Sequence, residues 1–262
     1  MVNSDLIFTT YFTSKPDPQK RSRGTFNLLK RFKTWLRSNK GGARAEKHGV
    51  ADIDEFDRIQ IWYDSLIKVG CHGVIFHDGL SEWFTEKYAC EQVSFIPYQL
   101  QTQRSLNDER YYCYLNYLRQ HPEIQRIIMC DLFDIEFFRN PFELFDDARY
   151  DVYCGGDEGE YNNKLVREKM IATFGAPHYE SEIKLNAGTA GGNRQQVEKL
   201  LVEMTGTFDS LSATGVMDNV NMAVFNKCVY DLFDKSRIMW GRPLNSRFKA
   251  YESSGDFAIR HK

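Results

Sequence analysis

The sequence predicts an α/β fold in which helices cover both faces of a mostly parallel β-sheet. Two observations favour this fold: predicted strands alternate with predicted helices along the first half of the chain, and those strands are short, nearly continuous apolar runs. Such strands are typical of parallel sheets, because both faces of a parallel sheet are buried. We therefore expect one Rossmann-like domain spanning residues 1–262.

The predicted elements follow one another in order along the chain. The first strand spans Leu6 to Thr13 and ends at the turn-forming sequence Ser-Lys-Pro-Asp-Pro. Apolar residues at helical spacing across residues 54–69, with Gly70 after them, predict a helix that ends in a glycine cap. Similar patterns predict strands at 73–76, 93–96 and 126–130 and a helix at 107–119.

Composition and charge exclude several classes of protein. The 262 residues include 34 basic and 36 acidic side chains, and the net charge of -2 gives no reason to expect nucleic acid as a partner. The six cysteines are dispersed, without a CxxC pair or a cysteine-histidine cluster of zinc-site spacing. No apolar run approaches the ~20 residues of a membrane helix. We therefore expect a soluble cytoplasmic protein with reduced thiols.

A basic segment at about 16–49 interrupts the α/β pattern and has the character of an insertion. Within it, Leu28, Leu29, Phe32, Trp35 and Leu36 fall on one helical face, while most of the neighbouring basic residues lie off that face. This pattern has two interpretations. The helix either packs its apolar stripe on its own domain, or makes peripheral contact with an anionic membrane through residues 25–38.

Two aspartates follow the predicted strand at 126–130. Asp131 and Asp134 emerge where the carboxyl end of a parallel strand opens toward a ligand crevice. Paired carboxylates hold hard divalent cations and leave coordination positions open for phosphate oxygens. The alternative is that Asp131 caps a turn and Asp134 is solvated. The apolar strand before them favours a metal site.

Three further segments carry polar residues in contexts that suit a ligand site. Lys184 to Asn193 places Asn186 before a run of small residues, which allows close approach of the backbone to a ligand, although a glycine-rich turn before a helix near residue 195 is an equal alternative. Asp218 and Asn219 open a predicted helix, where Asp218 alternatively serves only as an N-cap. His261 and Lys262 follow an apolar segment that predicts a short strand.

The order of these motifs resembles that of the GT-A glycosyltransferases, in particular the retaining, glycogenin-like members and the glycosyltransferase domain of collagen lysyl hydroxylases. The resemblance spans nearly the whole chain and rests on five features: Asp131 with Asp134, then Asn186-Ala187-Gly188, then Asp218-Asn219, then His261, then Lys262. Two departures stand out. Asn219 replaces the family's usual glutamine, and the basic insertion has no counterpart in the family.

The resemblance implies a GT-A fold and transfer of a sugar from a UDP- or GDP-sugar to a glycan, a lipid-linked acceptor or a protein. Mn²⁺ or Mg²⁺ is then expected on Asp131, Asp134 and His261, with retention of configuration. The other implied roles are catalytic for Asp218, Asn219 and Asn186, and donor-binding for Asp131, Ala187, Gly188, Lys262, Thr9, Thr10, Tyr11 and Arg110. For Arg110 the helical context itself predicts a solvent-exposed side chain.

Two other classes of protein remain possible from the sequence. A sugar-phosphate nucleotidyltransferase has a similar sheet and paired carboxylates, but it usually carries a glycine-rich basic loop after its first strand, where this chain has TSKPDPQKR. A non-catalytic nucleotide-sugar-binding or membrane adaptor module is the second. Retention of both aspartates, His261 and Lys262 argues against a module that has lost catalysis.

Overall fold

The computed structural model describes residues 4–15, 54–156, 160–217 and 219–262. Within them the main sheet comprises β1 Asp5–Tyr11, β2 Gly73–His77, β3 Val93–Pro97, β4 Arg126–Cys130, β6 Val152–Gly156, β7 Leu185–Asn193 and β8 Ile238–Trp240. Two further strands, β5 Ile135–Phe137 and β9 Ile259–His261, form a separate antiparallel pair. Residues 16–53, which contain the whole basic insertion and its predicted membrane-contact helix at 25–38, lie outside the described residues, as does Asp218.

The main sheet has the order β3-β2-β1-β4-β7-β6-β8. Strands β1 to β4 are mutually parallel, β7 is antiparallel to both of its neighbours, and β8 is parallel to β6. Because β4 and β6 are both antiparallel to β7, they run in the same direction as each other. Strands β6 and β8 therefore run in the direction of β1 to β4. Every strand of this sheet except β7 therefore ends at the same edge, which confirms a mostly parallel α/β sheet.

Helices flank the sheet at α1 Gln60–Lys68, α2 Glu82–Tyr88, α3 Leu106–Gln120, α4 Glu160–Phe174, α5 Arg194–Ala213 and α6 Asn221–Leu232. Short 3-10 turns occur at Phe56–Arg58, Pro141–Asp146 and Lys235–Arg237. Local chemistry sets several of the helix ends. The hydroxyl of Ser105 accepts the Asp108 N–H at the start of α3, and Gly70 takes a φ of +69° just beyond α1, as a glycine cap requires.

Two hydrophobic layers lie on opposite faces of the sheet. Phe8 packs into the layer formed with α3, α5 and α6, while its neighbour Ile7 packs into the layer formed with α1 and the β5–β9 pair. This alternation follows from strand geometry, since successive side chains point to opposite faces. Both faces of β1 are therefore covered, which explains why most of its residues are apolar.

The glycine-rich segment before α5 is strand β7, which excludes the alternative of a glycine-rich turn there. Small residues are required because β7 packs closely on β4: a Cβ on Gly191 would lie 2.5 Å from the Ile127 carbonyl oxygen. The predicted strands on either side of α1 and α3 are otherwise confirmed to within about two residues, the usual uncertainty of element ends. Across the described ranges, no helix combines the length and apolar character needed to cross a membrane.

Candidate metal centre

The candidate site lies at the edge of the sheet where β4 ends. Asp131 follows directly after β4, and its backbone N–H donates to the Gly188 carbonyl oxygen of β7 at 2.9 Å. Asp134 precedes β5, and β5 pairs with β9 in a register that sets Ile135 opposite His261. This short antiparallel pair is what brings His261 beside the two aspartates.

The three side chains form a compact cluster. One ligand atom from each of Asp131, Asp134 and His261 lies within 4.8 Å of the others. The His261 Nε2 atom is 3.7 Å from Asp131 Oδ2 and 3.6 Å from Asp134 Oδ2. Two carboxylate oxygens and one imidazole nitrogen are a donor set that suits Mn²⁺ or Mg²⁺, with further positions left for ligand oxygens.

His261 is buried in a way that favours a bound cation. Its side chain is only 1% exposed, and among the described residues neither of its ring nitrogens has a hydrogen-bond partner; the same holds for Asp134 Oδ1. The residue is nevertheless fixed, because its backbone N–H donates to Ser246 Oγ at 3.1 Å and its ring packs 4.5 Å from the ring of Phe248. Buried polar atoms without partners cost free energy. A cation bound to Nε2 would remove part of that cost, so the residues fit a metal.

Arg110 is buried against this cluster, and the expectation that it lies on the protein surface was wrong. Its guanidinium pairs with Asp131 Oδ1 and donates to the Ala187 carbonyl oxygen at 3.1 Å. Burial alone would raise the pKa of Asp131, but the positive charge of Arg110, assisted by His261, outweighs burial and holds that pKa below its ordinary value. Arg110 thus keeps Asp131 ionised and occupies one oxygen, while the other oxygen faces His261.

The segment from Asn186 to Gly188 forms one wall of the site. Asn186 Oδ1 accepts the Gly188 N–H at 2.7 Å, which holds this part of β7 in place. A Cβ on Gly188 would lie 2.6 Å from Asp131 Oδ2, and closer still to the His261 ring. Only glycine therefore leaves room for the carboxylate and the imidazole together.

Lys262 lies next to the cluster, but its ammonium is already paired. Its backbone N–H donates to the Asp134 carbonyl oxygen at 2.9 Å, and its Nζ is 3.1 Å from Glu136 Oε2. Arg260 pairs with the same carboxylate. Burial acts to raise the pKa of Glu136, but hydrogen bonds from Arg260 and Lys262 lower it overall. A diphosphate contact by Lys262 therefore requires its ammonium to exchange or share this partner.

The three residues of β1 that the resemblance assigns to donor binding differ in accessibility. Thr9 is fully buried in β1, Thr10 is half-buried, and Tyr11 is buried at the end of that strand. The Tyr11 ring lies 5.5 Å from the ring of Phe133, an exposed side chain between the two aspartates. The Arg58 guanidinium lies 4.6 Å from the Phe133 ring centre. The end of β1 thus adjoins the segment that carries the two aspartates, and the donor-binding role of these three residues stays a prediction.

Of the two residues expected to open α6, only Asn219 lies within the described chain. It is half-buried, and its Oδ1 has no hydrogen-bond partner among the described residues. The following residue, Val220, donates its backbone N–H to Asp108 Oδ1 at 3.3 Å. The catalytic role assigned to Asp218 and Asn219 stays a prediction.

No sequence pattern marks the residues that hold the imidazole. Ser246 and Phe248 belong to the connection between β8 and β9, which shows no periodic pattern and no motif. Their importance follows only from the fold, because they contact His261. Arg58 was likewise part of a predicted helix and had no individual signal.

Comparison of the sequence with the models of known protein families found no match, and comparison with curated proteins found none. The resemblance to GT-A glycosyltransferases therefore rests on the order of the motifs in this chain alone.

Proposed function

We propose that this protein is a metal-dependent glycosyltransferase that uses a UDP- or GDP-sugar donor. The observation that carries the proposal is the buried imidazole of His261, which faces the carboxylates of Asp131 and Asp134. Neither of its ring nitrogens has a hydrogen-bond partner in the part of the chain that the structure describes. The cluster lies at the carboxyl edge of a mostly parallel sheet, where α/β proteins commonly bind nucleotides and sugars.

In this proposal Asp131, Asp134 and His261 hold Mn²⁺ or Mg²⁺. The cation supplies charge neutralisation for a nucleotide diphosphate leaving group. Two neighbouring residues keep these ligand side chains in place. Arg110 keeps Asp131 in its ionised form. Gly188 has no side chain and so leaves room for the side chains of Asp131 and His261.

The residues that act on the sugar are assigned from the resemblance. Asp218 is proposed as the carboxylate near the anomeric carbon, with Asn219 beside it and Asn186 lining the sugar pocket. Lys262 is proposed to add positive charge near the diphosphate. We propose retention of configuration, an acceptor that is a glycan, a lipid-linked molecule or a protein, and a cytoplasmic location, where the six unpaired cysteines would stay reduced.

The direct test of this function is metal-dependent nucleotide binding. Isothermal titration calorimetry with UDP and GDP should show binding in the presence of Mn²⁺ and little or none after chelation. His261→Ala should weaken Mn²⁺-dependent binding by at least about 10-fold, since even residues that only orient metal ligands typically contribute 10–100-fold to affinity. Turnover is then measured as nucleotide release from a panel of UDP- and GDP-sugars.

Asp64→Asn is the matched control for the aspartates, because Asp64 is an exposed carboxylate on α1. It should bind nucleotide as the wild-type protein does, whereas Asp134→Asn should not. Equal nucleotide affinity with Mn²⁺ and with chelator would contradict the proposal, as would wild-type affinity in His261→Ala.

A further inference from the structure

A second concave site lies beside the candidate metal centre. It is a cavity of about 450 Å³, lined by Gly156, Trp240, Gly241, Arg242, Asn245, Ser246, Arg247 and Glu252. This volume falls within the roughly 300–1,000 Å³ of small-molecule sites in proteins. None of these residues belongs to the motifs that predicted the metal centre.

The sheet topology places this cavity at the same edge as the metal centre. Gly156 ends β6 and Trp240 ends β8, and both strands run in the direction of β4. Ser246 joins the two sites, because it lines the cavity and its hydroxyl also accepts the backbone N–H of His261 at 3.1 Å. A ligand in the cavity would therefore lie next to a ligand at the metal centre.

The walls of the cavity combine one aromatic side chain with both signs of charge. Trp240 is half-buried, while Arg242 and Arg247 are exposed. The Glu252 carboxylate accepts from the Arg242 guanidinium at 2.5 Å and from the Arg247 backbone N–H at 3.4 Å. Hydrogen-bond donors and an acceptor thus line the same cavity as the aromatic residue.

This chemistry discriminates among ligand classes. The Glu252 carboxylate already pairs with the Arg242 guanidinium, which is therefore not free to hold a phosphate group. A purely apolar ligand would leave the charged groups of Arg242 and Glu252 without solvent. A sugar ring meets both requirements, because one face presents C–H groups that pack on an aromatic ring and its hydroxyls both donate and accept hydrogen bonds.

We propose that this cavity binds a saccharide and is the acceptor site of the protein, with Trp240 as its stacking surface and with Arg242, Arg247 and Glu252 as hydroxyl partners. The acceptor role rests on the proposed glycosyltransferase function, whereas saccharide binding does not. Of the acceptor classes named above, this selects a glycan or a glycan-bearing molecule recognised through its sugar.

The test is an array of mono- to tetrasaccharides probed with the full chain in the absence of metal and nucleotide, followed by calorimetry on the saccharide that binds most tightly. Trp240→Ala should weaken binding by at least about 10-fold, a scale consistent with the loss of an aromatic contact together with its buried area. Trp83→Ala is the matched control, since Trp83 is a more exposed tryptophan on α2, and it should bind as the wild-type protein does.

Circular dichroism establishes that each variant is folded. If Trp240→Ala does not fold, Glu252→Gln decides in its place, because it keeps the side-chain size and removes only the charge. Absence of saccharide binding by the wild-type protein, or unchanged binding in the deciding variant, would overturn the acceptor site. Neither result bears on metal-dependent nucleotide binding, so failure of the acceptor site and failure of the proposed function are distinguishable.

Discussion

At the scale of single residues, Gly188 is the most demanding position in the candidate site. A Cβ there would approach Asp131 Oδ2 to 2.6 Å and the His261 ring still more closely. Neither neighbour moves easily, because Arg110 holds Asp131 and Phe248 packs on His261. We therefore expect Gly188→Ala to lower Mn²⁺ affinity by at least about 10-fold, measured by calorimetry, while the fold is retained by circular dichroism.

Gly206→Ala is the control for that substitution. Gly206 lies within α5, and a Cβ at this position would meet no atom within 4 Å. Alanine is favoured over glycine in a helix interior, so the free energy of unfolding should rise by about 0.5–1 kcal/mol with no change in Mn²⁺ affinity. A Gly188→Ala protein that bound Mn²⁺ as tightly as Gly206→Ala would show that the cluster tolerates displacement of its ligands.

The sequence singled out the three candidate metal ligands, which lie together in the structure, but it did not indicate the residues that support them. Asp131 and Asp134 follow an apolar strand, and strand ends are where ligand residues gather. Arg110 was expected on the surface, since charged residues in a helix are usually solvated. Its burial depends on Asp131 and the Ala187 carbonyl, which reach it only through tertiary folding. No local pattern carries that information.

At the scale of elements, Arg104 and Asp108 connect the start of α3 to the chain that leads from α5 into α6. The buried Arg104 Nε lies 3.4 Å from Asp108 Oδ2, and its Nη1 donates to the Phe208 and Val216 carbonyl oxygens at 3.1 and 2.9 Å. Asp108 accepts from the backbone N–H of Val220. This pair thus anchors both flanks of the segment that contains Asn219.

We expect Arg104→Met to lower the free energy of unfolding by about 3–5 kcal/mol, because it leaves the Asp108 carboxylate buried without its cation. Urea unfolding followed by circular dichroism measures the effect. The double change Arg104→Met with Asp108→Leu should recover part of the loss, since it also removes the unpaired charge. Arg149→Met, at an exposed ion pair with Asp147, should cause no measurable change. If the double variant loses as much free energy of unfolding as Arg104→Met and Asp108→Leu lose together, the two residues are not coupled.

Helices and strands were predicted correctly where a single pattern of apolar residues extended over the whole element. The strands β1 to β4 are apolar runs, and α1 and α3 have apolar residues at helical spacing with capping residues at their ends. Strand β7 was less clear because glycine and alanine have low strand propensity. Its residues are small because β4 packs tightly against it, and that partner is not apparent from the local sequence.

At the scale of the whole molecule, the candidate centre depends on two separate pairings. The antiparallel contact of β4 with β7 sets Gly188 beside Asp131, and the β5–β9 pair sets His261 beside Asp134. The apolar strands of the sequence predicted that the sheet is mostly parallel. The sequence did not predict the antiparallel insertion of β7 between β4 and β6, because strand order depends on contacts between distant segments.

A cation that joins these two pairings should stabilise the entire fold. A ligand that binds only the folded state raises the free energy of unfolding by about 2.7 kcal/mol at a concentration 100 times its dissociation constant. For a chain of this size that corresponds to an increase of roughly 5–10 °C in the midpoint of thermal unfolding. We expect Mn²⁺ to produce such an increase in the wild-type protein and in Asp64→Asn, and chelation to reverse it.

The same measurement separates binding at this centre from binding elsewhere. His261→Ala and Asp134→Asn each remove one ligand from a different part of the chain, so each should lose most of the Mn²⁺-induced increase. An increase of the same size in either variant would place the cation at some other set of acidic groups. The loss of the increase in both variants would tie the stabilisation to the cluster of Asp131, Asp134 and His261, because each variant removes one of its ligand atoms.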